Sequence, residues 1–131
     1  RPGPAAIRAA LGAKRAGRVF LVWDAMAVAG TDRTEFTLGT RTIRRAQGRL
    51  TLADGTLAGA DLTLPRAVAT LVHTAGLPIT TALAMATAHP AATLGRSADQ
   101  GHIAPGRRAD VVPLAPALSH TAPWRAGTRL G

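Results

Sequence analysis

Residues 19–24 read Val-Phe-Leu-Val-Trp-Asp, an apolar run that ends in a single carboxylate, Asp24. Buried parallel strands in α/β proteins are near-continuous apolar runs, and their carboxyl ends form the active site. We therefore predict a buried strand over residues 18–23, with Asp24 at its C-terminal end as a candidate catalytic group. The alternative role for a lone Asp at this place is to cap a following turn or helix.

Helical patterns lie on both sides of this run. Pro4 suits the first turn of a helix, and Gly17 suits its end. Apolar residues recur at helical spacing between Leu62 and Thr74. Pro78 opens a further pattern that we expect Pro90 to break. The predicted helices cover 4–15, 62–74, 78–89 and a short turn at 91–94.

Extended segments complete the pattern. Gln47-Gly48 is a plausible tight turn between two extended runs, which predicts a β-hairpin. The residues from Asp54 to Gly59 form a glycine-bounded segment that we predict to be a loop. The predicted strands after Asp24 cover 35–38, 40–45, 49–52 and 109–112. Helices and strands in this order predict a mixed α/β fold.

Composition limits the core that the chain can build. The sequence has 131 residues and is 47% hydrophobic, but it contains only four aromatic side chains, at positions 20, 23, 36 and 124. Aromatic residues bury the largest area each, so the core is thin for this length. We expect a piece that completes its core against another segment, and the first residue, Arg1, agrees with a fragment.

The formal charge of +9 raises the question of nucleic-acid binding. The arginines are scattered, with Arg44-Arg45 and Arg107-Arg108 as the only adjacent arginine pairs, and Tyr is absent. Nucleic-acid sites combine a basic stripe with stacking aromatics, so we expect no nucleic-acid partner. Attraction of an anionic, phosphate-bearing substrate is compatible with the charge.

Cysteine and membrane signals are both missing from the sequence. Without cysteine, neither a disulfide framework nor a thiolate metal site can form. No apolar stretch approaches the roughly 18 residues that a membrane span needs, and no secretory segment opens the chain. We expect no membrane partner and a cytoplasmic location.

Four segments occur in a characteristic order along the chain: Leu21-Val22-Trp23-Asp24-Ala25-Met26, Asp54-Gly55-Thr56-Leu57-Ala58-Gly59, Met85-Ala86-Thr87-Ala88-His89-Pro90-Ala91 with Leu94-Gly95, and Gly101-His102-Ile103-Ala104-Pro105-Gly106-Arg107-Arg108-Ala109-Asp110. Together they resemble the C-terminal portion of the N-acetylglucosamine-6-phosphate deacetylases, in the metal-dependent amidohydrolase superfamily. The G-x-I-x-P-G-x-x-A-D element at 101–110 is widespread in that superfamily, and the Asp54–Gly59 segment after Asp24 singles out the deacetylases. The resemblance extends from about Pro4 to about Gly127.

This resemblance implies a fold and partners. Residues 1–108 would form the C-terminal segment of a (β/α)8 barrel with a β-hairpin excursion, and residues 109–131 would supply strands of a small β-sandwich domain. Asp24 would end the eighth barrel strand. The implied partners are the missing N-terminal part of the barrel, further copies in a homo-oligomer, and a small amino-sugar phosphate.

The resemblance also implies chemistry. Asp24 would act as general base and acid, and the loop Leu57, Ala58 and Gly59 would contact the sugar through its backbone. A divalent metal, zinc or iron, would activate the attacking water. The family's metal ligands, one Glu and two His, would lie upstream, so we expect none in this chain. The four histidines lack ligand spacing and are expected to be structural or exposed: His73, His89, His102 and His120.

Four positions depart from the family pattern. Arg1 stands where the family has a substrate-contacting His, and Trp23 replaces a small Thr beside Asp24. Ala60 replaces a helix-opening Ser, for which Asp61 is a possible substitute cap. Pro113 fits a strand only at its edge or end.

The leading hypothesis is thus the C-terminal part of an enzyme that hydrolyses N-acetylglucosamine 6-phosphate, inactive without the upstream metal ligands. One alternative is a non-catalytic, degenerate fragment or basic interaction module. Another is an amidohydrolase with a different amide substrate, because the element at 101–110 is shared across the superfamily.

Overall fold

The computed structural model describes residues 3–14 and 18–131. The predictions that concern Arg1, Arg15 and Gly17 lie outside the described residues. The chain divides into two compact units. One is Val22–Leu64, and the other comprises the described residues of Arg1–Leu21 together with Pro65–Gly131.

The Val22–Leu64 unit is a four-stranded antiparallel sheet in the order β1-β2-β3-β4. Sequential strands pair, with Phe36 opposite Ile43, Arg45 opposite Leu50, and Leu50 opposite Gly59. The pairing shifts register between Leu50 and Thr51. The strands are β1 (Glu35–Leu38), β2 (Arg41–Ala46), β3 (Arg49–Thr51) and β4 (Leu57–Ala60).

The predicted hairpin is confirmed, and its turn has a local cause. Gln47 and Gly48 both adopt positive φ, +51° and +71°. A two-residue turn with positive φ at both positions matches the twist of the strands it joins. Between β3 and β4, Asp54 Oδ1 accepts a hydrogen bond from the Thr56 backbone N–H at 2.9 Å. This bond holds the pKa of Asp54 below its ordinary value.

The core of this unit is small and aliphatic. Val28, Ile43 and Leu50 are fully or almost fully buried, and Phe36 and Met26 pack against them. Ile43 and Leu50 come from the two strands of the hairpin, while Val28 comes from the turn that follows Asp24. Burial of Val28 therefore anchors that turn to the sheet.

The second unit is mainly helical. Its core consists of Val68, Leu71, Ala82, Met85 and Leu118, with Ile7, Leu11, Val19 and Leu21 among the partly buried residues packed against it. Helix α2 follows the predicted spacing closely, because its buried residues Ala67, Val68 and Leu71 share one face. The helices are α1 (Pro4–Ala13), α2 (Leu64–His73), α3 (Ile79–Ala86) and α4 (Ala88–Thr93).

A short two-stranded ribbon ends this unit. It consists of β5 (Trp124–Arg125) and β6 (Thr128–Arg129), which pair antiparallel. The predicted strand at 109–112 is reduced to a single antiparallel bridge between Val111 and Trp124. Pro113 follows that bridge, and its carbonyl accepts a hydrogen bond from the Thr121 N–H at 3.0 Å.

The predicted strand at 18–23 is wrong for the described residues. Its backbone makes isolated contacts and no ladder: the Leu21 N–H donates to the Met85 carbonyl at 2.9 Å, and the Val19 carbonyl contacts His89 Nδ1 at 2.7 Å. Phe20, Val22 and Trp23 are exposed. An extended segment becomes a strand only beside a partner, and no neighbouring strand is present among the described residues.

The helix break was also misplaced. Pro90 lies within α4, in its first turn. A backbone N–H at that place would have no intrahelical acceptor, so proline costs the helix no hydrogen bond. The break falls at Thr87, whose ψ of −79° with φ of −133° leaves the helical region.

The mixed helix and strand content agrees with the predicted α/β class. The barrel itself and a boundary between residues 108 and 109 stay predictions. Among the described residues, no helix combines the length and apolarity needed to cross a membrane.

Candidate functional site

Asp24 lies beside strand β4. Its backbone carbonyl accepts a hydrogen bond from the Ala60 N–H at 3.2 Å, and the next residue, Ala25, forms a parallel bridge with Ala60. Asp24 itself has a φ of +50°, an uncommon conformation for a residue with a side chain. Such conformations concentrate at functional sites, where surrounding contacts enforce them.

The carboxylate of Asp24 is exposed to solvent. It makes no hydrogen bond or ion pair within the two described ranges, 3–14 and 18–131. An exposed carboxylate is accessible to a ligand from solvent. The neighbouring Trp23 is 41% exposed.

Leu57, Ala58 and Gly59 form most of β4 and are not the loop that the sequence predicted. Leu57 is 63% exposed, Ala58 is half-buried and Gly59 is buried. This strand is extended because it pairs with β3, with Leu50 opposite Gly59. The bounding glycines of this segment predict a loop, and pairing with β3 overrides that local signal.

Gly59 brings β4 close to the Asp24 segment. A Cβ on Gly59 would lie 2.7 Å from Met26 Sδ, 2.8 Å from Met26 Cγ and 3.5 Å from the Asp24 carbonyl oxygen. The first two distances are shorter than van der Waals contact, so glycine permits this approach. The structure therefore brings together the predicted catalytic residue and the backbone of the predicted substrate segment.

Arg45 is a residue of this site that sequence reasoning missed. Its Nη2 lies 2.9 Å from Asp61 Oδ1, and its Nη1 donates to the Thr31 carbonyl at 2.5 Å. The hydrogen bond that the guanidinium donates to Asp61 raises the pKa of Arg45. Asp61, predicted as a substitute helix cap, thus has an ion pair with Arg45. The adjacent Arg44-Arg45 pair was visible in the sequence, but nothing local shows that only Arg45 points towards Asp61.

The histidines do not assemble into a metal site. His89 is half-buried in α4, and its Nδ1 contacts the Val19 carbonyl, so this nitrogen carries the proton and donates. His73, His102 and His120 are exposed. In the described part of the chain, no three side chains of His, Cys, Asp or Glu come together to hold a metal ion. The residues present therefore do not fit a metal centre by themselves.

A separate cavity of about 480 Å³ lies in the helical unit. Its lining comes from residues 86–94 and 99–111, and it includes His102, Arg107 and Asp110. Asp110 is held in place there, because its Oδ1 accepts from the Ala126 N–H and its Oδ2 pairs with Arg108 Nε, both at 2.7 Å. These contacts, the Ala126 bond above all, lower the pKa of Asp110.

Comparisons with known proteins agree with the resemblance found in the sequence. The sequence profile of the Amidohydrolase family matches residues 10–129. A putative N-acetylgalactosamine-6-phosphate deacetylase of Escherichia coli K12 is 36% identical over 110 residues, which are 84% of this chain and 66% of that protein.

Two solved structures are similar over nearly the whole chain. The N-acetylglucosamine-6-phosphate deacetylase of Pasteurella multocida superposes with a TM-score of 0.85 at 27% identity, covering 97% of this chain and 33% of that one. A variant of the Mycobacterium smegmatis enzyme, in complex with N-acetyl-D-glucosamine-6-phosphate, gives a TM-score of 0.82 at 31% identity, covering 96% and 34%.

The chain thus spans about a third of the length of these solved structures. Its relatives are named as deacetylases, and the family profile covers most of its residues. The expectation of an amidohydrolase portion is confirmed: this chain belongs to the Amidohydrolase family.

Proposed function

We propose that this chain is the C-terminal portion of a deacetylase that hydrolyses an N-acetylated amino-sugar 6-phosphate to the free amine and acetate. The observation that supports the proposal is the backbone contact between Asp24 and β4, because it sets the residue proposed to transfer the proton beside the segment proposed to contact the sugar. The names of the similar proteins supply the substrate class.

In this proposal Asp24 moves the proton. Its carboxylate accepts a proton from the water that attacks the acetamide carbonyl, and then gives it to the departing amine nitrogen. Leu57, Ala58 and Gly59 orient the sugar through backbone groups along β4. Exposure of Asp24 and of Leu57 is consistent with access for a substrate.

The proposal assigns no metal ligand to this chain, because the described residues do not assemble one. The divalent metal, zinc or iron, would be held by the N-terminal part of a (β/α)8 barrel, to which residues 1–108 contribute. Residues 109–131 would belong to a small β domain, and the enzyme would be a cytoplasmic homo-oligomer.

A chimera tests this division of roles. The segment of the Mycobacterium smegmatis enzyme outside the matched region is joined to this chain, and acetate release from N-acetylglucosamine 6-phosphate is measured with zinc or iron. We expect turnover by the chimera and none by the 131-residue chain alone. A folded, metal-loaded chimera without turnover would contradict the proposal, as would robust turnover by the isolated chain.

N-acetylgalactosamine 6-phosphate is a second candidate substrate, since the similar Escherichia coli protein is named for that sugar. The two sugars differ only in the orientation of one hydroxyl. Comparing kcat/KM of the chimera for both substrates decides between them. If the chimera hydrolyses neither sugar phosphate at a measurable rate but does hydrolyse another amide, the alternative of an amidohydrolase with a different amide substrate is favoured.

A further inference from the structure

Arg45 lies on strand β2 of the Val22–Leu64 unit and forms an ion pair with Asp61. Its side chain is 28% exposed, and that of its partner Asp61 is 11% exposed. Ion pairs on open surfaces contribute little because water and salt screen them. This pair is largely withdrawn from water, so loss of either partner leaves a poorly solvated charge.

The guanidinium of Arg45 also joins two separate segments. Nη2 binds Asp61, which directly follows β4, while Nη1 donates to the carbonyl of Thr31 in the turn after Asp24. The Arg45 backbone N–H donates to the carbonyl of Thr34, the residue just before β1, at 2.7 Å. The planar fork of arginine suits such a double contact, and a lysine ammonium does not.

A hydrogen bond within the turn connects Thr31, which Arg45 contacts, to the buried residue Val28. Thr31 Oγ1 donates to the Val28 carbonyl at 3.0 Å, and Val28 is completely buried. Asp24 lies four residues before Val28, and its carbonyl accepts a hydrogen bond from the Ala60 N–H. Ala60 precedes Asp61, so the Arg45 contacts and the Asp24 contact hold the same two segments together.

From this arrangement we infer that Arg45 is a positioning residue, whose guanidinium links Thr31 to Asp61 and so holds the Asp24 segment against β4. The catalytic meaning of that role rests on the proposed function; the positioning itself does not.

Amide hydrogen exchange of the 131-residue chain tests the inference. The reporter is the Ala60 N–H, and the reference is the Leu52 N–H, which donates to Thr56 within the same unit. In R45M we expect the exchange rate of the Ala60 amide to rise at least about tenfold, while that of the Leu52 amide changes by less than about threefold. The substitution should promote local opening of the Asp24 segment from β4 and not unfolding of the whole unit.

R44M is the matched control, since Arg44 is the neighbour on β2 and its pair with Glu35 is long, 3.8 Å, and exposed. It should leave both amides close to wild type. R45K should recover part of the protection at Ala60, because lysine can satisfy one of the two contacts. Equal acceleration at Ala60 and Leu52 in R45M would reduce Arg45 to a general stabiliser and overturn the inference.

The double variant R45M/D61N separates positioning from charge balance. It removes the carboxylate charge of Asp61 together with the charge of Arg45, but it does not restore the contact with Thr31, so Ala60 should still exchange fast. Return of Ala60 to wild-type exchange would also overturn the inference. Because no substrate is used, a negative result leaves the deacetylase proposal intact, and an inactive chimera leaves this test unaffected.

Discussion

The Ala60 N–H donates a hydrogen bond to the Asp24 carbonyl at 3.2 Å, and this contact defines the candidate site. It sets Asp24, whose side chain is exposed, beside the strand that contains Gly59. The proposed deacetylase chemistry needs a proton acceptor and a substrate-orienting backbone in proximity.

Gly59→Ala should disturb the site through Met26. The added Cβ would lie 2.7 Å from Met26 Sδ, so the thioether must move. We expect a loss of about 1–3 kcal/mol in the free energy of unfolding, as is typical of overpacking. Urea denaturation measures it. Met26→Ala in the same chain makes room and should return part of the loss; additive effects of the two substitutions would show that the clash is not the cause.

Leu50→Ala should destabilise the Val22–Leu64 unit. Leu50 is completely buried among Val28 and Ile43, and its truncation leaves a cavity in a small core. Substitutions of this kind cost about 2–5 kcal/mol. Leu57→Ala is the control, because Leu57 is 63% exposed and an exposed truncation should stay within about 0.5 kcal/mol. Similar urea midpoints for the two variants would contradict the assigned core.

Asp110 should make the thermal stability of the chain depend on pH. The Ala126 N–H and Arg108 lower its pKa in the folded chain relative to the unfolded one. The carboxylate therefore stabilises the fold above the unfolded pKa of about 3.9, and that contribution disappears as the pH falls through the folded pKa. Thermal midpoints of the wild type should fall more steeply below about pH 4 than those of D110N. D99N, which breaks the exposed pair with Arg96, is the control; parallel curves for D110N and the wild type would refute the role of Asp110.

Local patterns in the sequence predicted much of the fold. Strand β1 was predicted with its observed bounds, and the hairpin followed from Gln47-Gly48, whose positive φ angles explain the turn. Helix α2 followed from the spacing of Val68 and Leu71. These features depend on residues close in the sequence, so a single sequence reveals them.

The failures concern contacts between distant residues. An apolar run at 18–23 reads as a strand, but strand formation requires a neighbour that the described residues do not supply. Leu57–Gly59 read as a loop, yet pairing with β3 makes it a strand. For the same reason the sequence could propose Asp24 but not Arg45, because an ion pair across 16 positions, from 45 to 61, leaves no local signal.

The most direct test of the account is the rate of acetate release by the deacetylase chimera after Asp24→Asn, with E35Q as the control because Glu35 makes only a long, exposed pair with Arg44. Asparagine keeps the shape of the side chain but cannot take up a proton, so kcat should fall by about 10²–10⁴-fold while E35Q stays near the parent rate. A D24N chimera that turns over as fast as the parent would contradict the assignment of Asp24 as the proton-transfer residue.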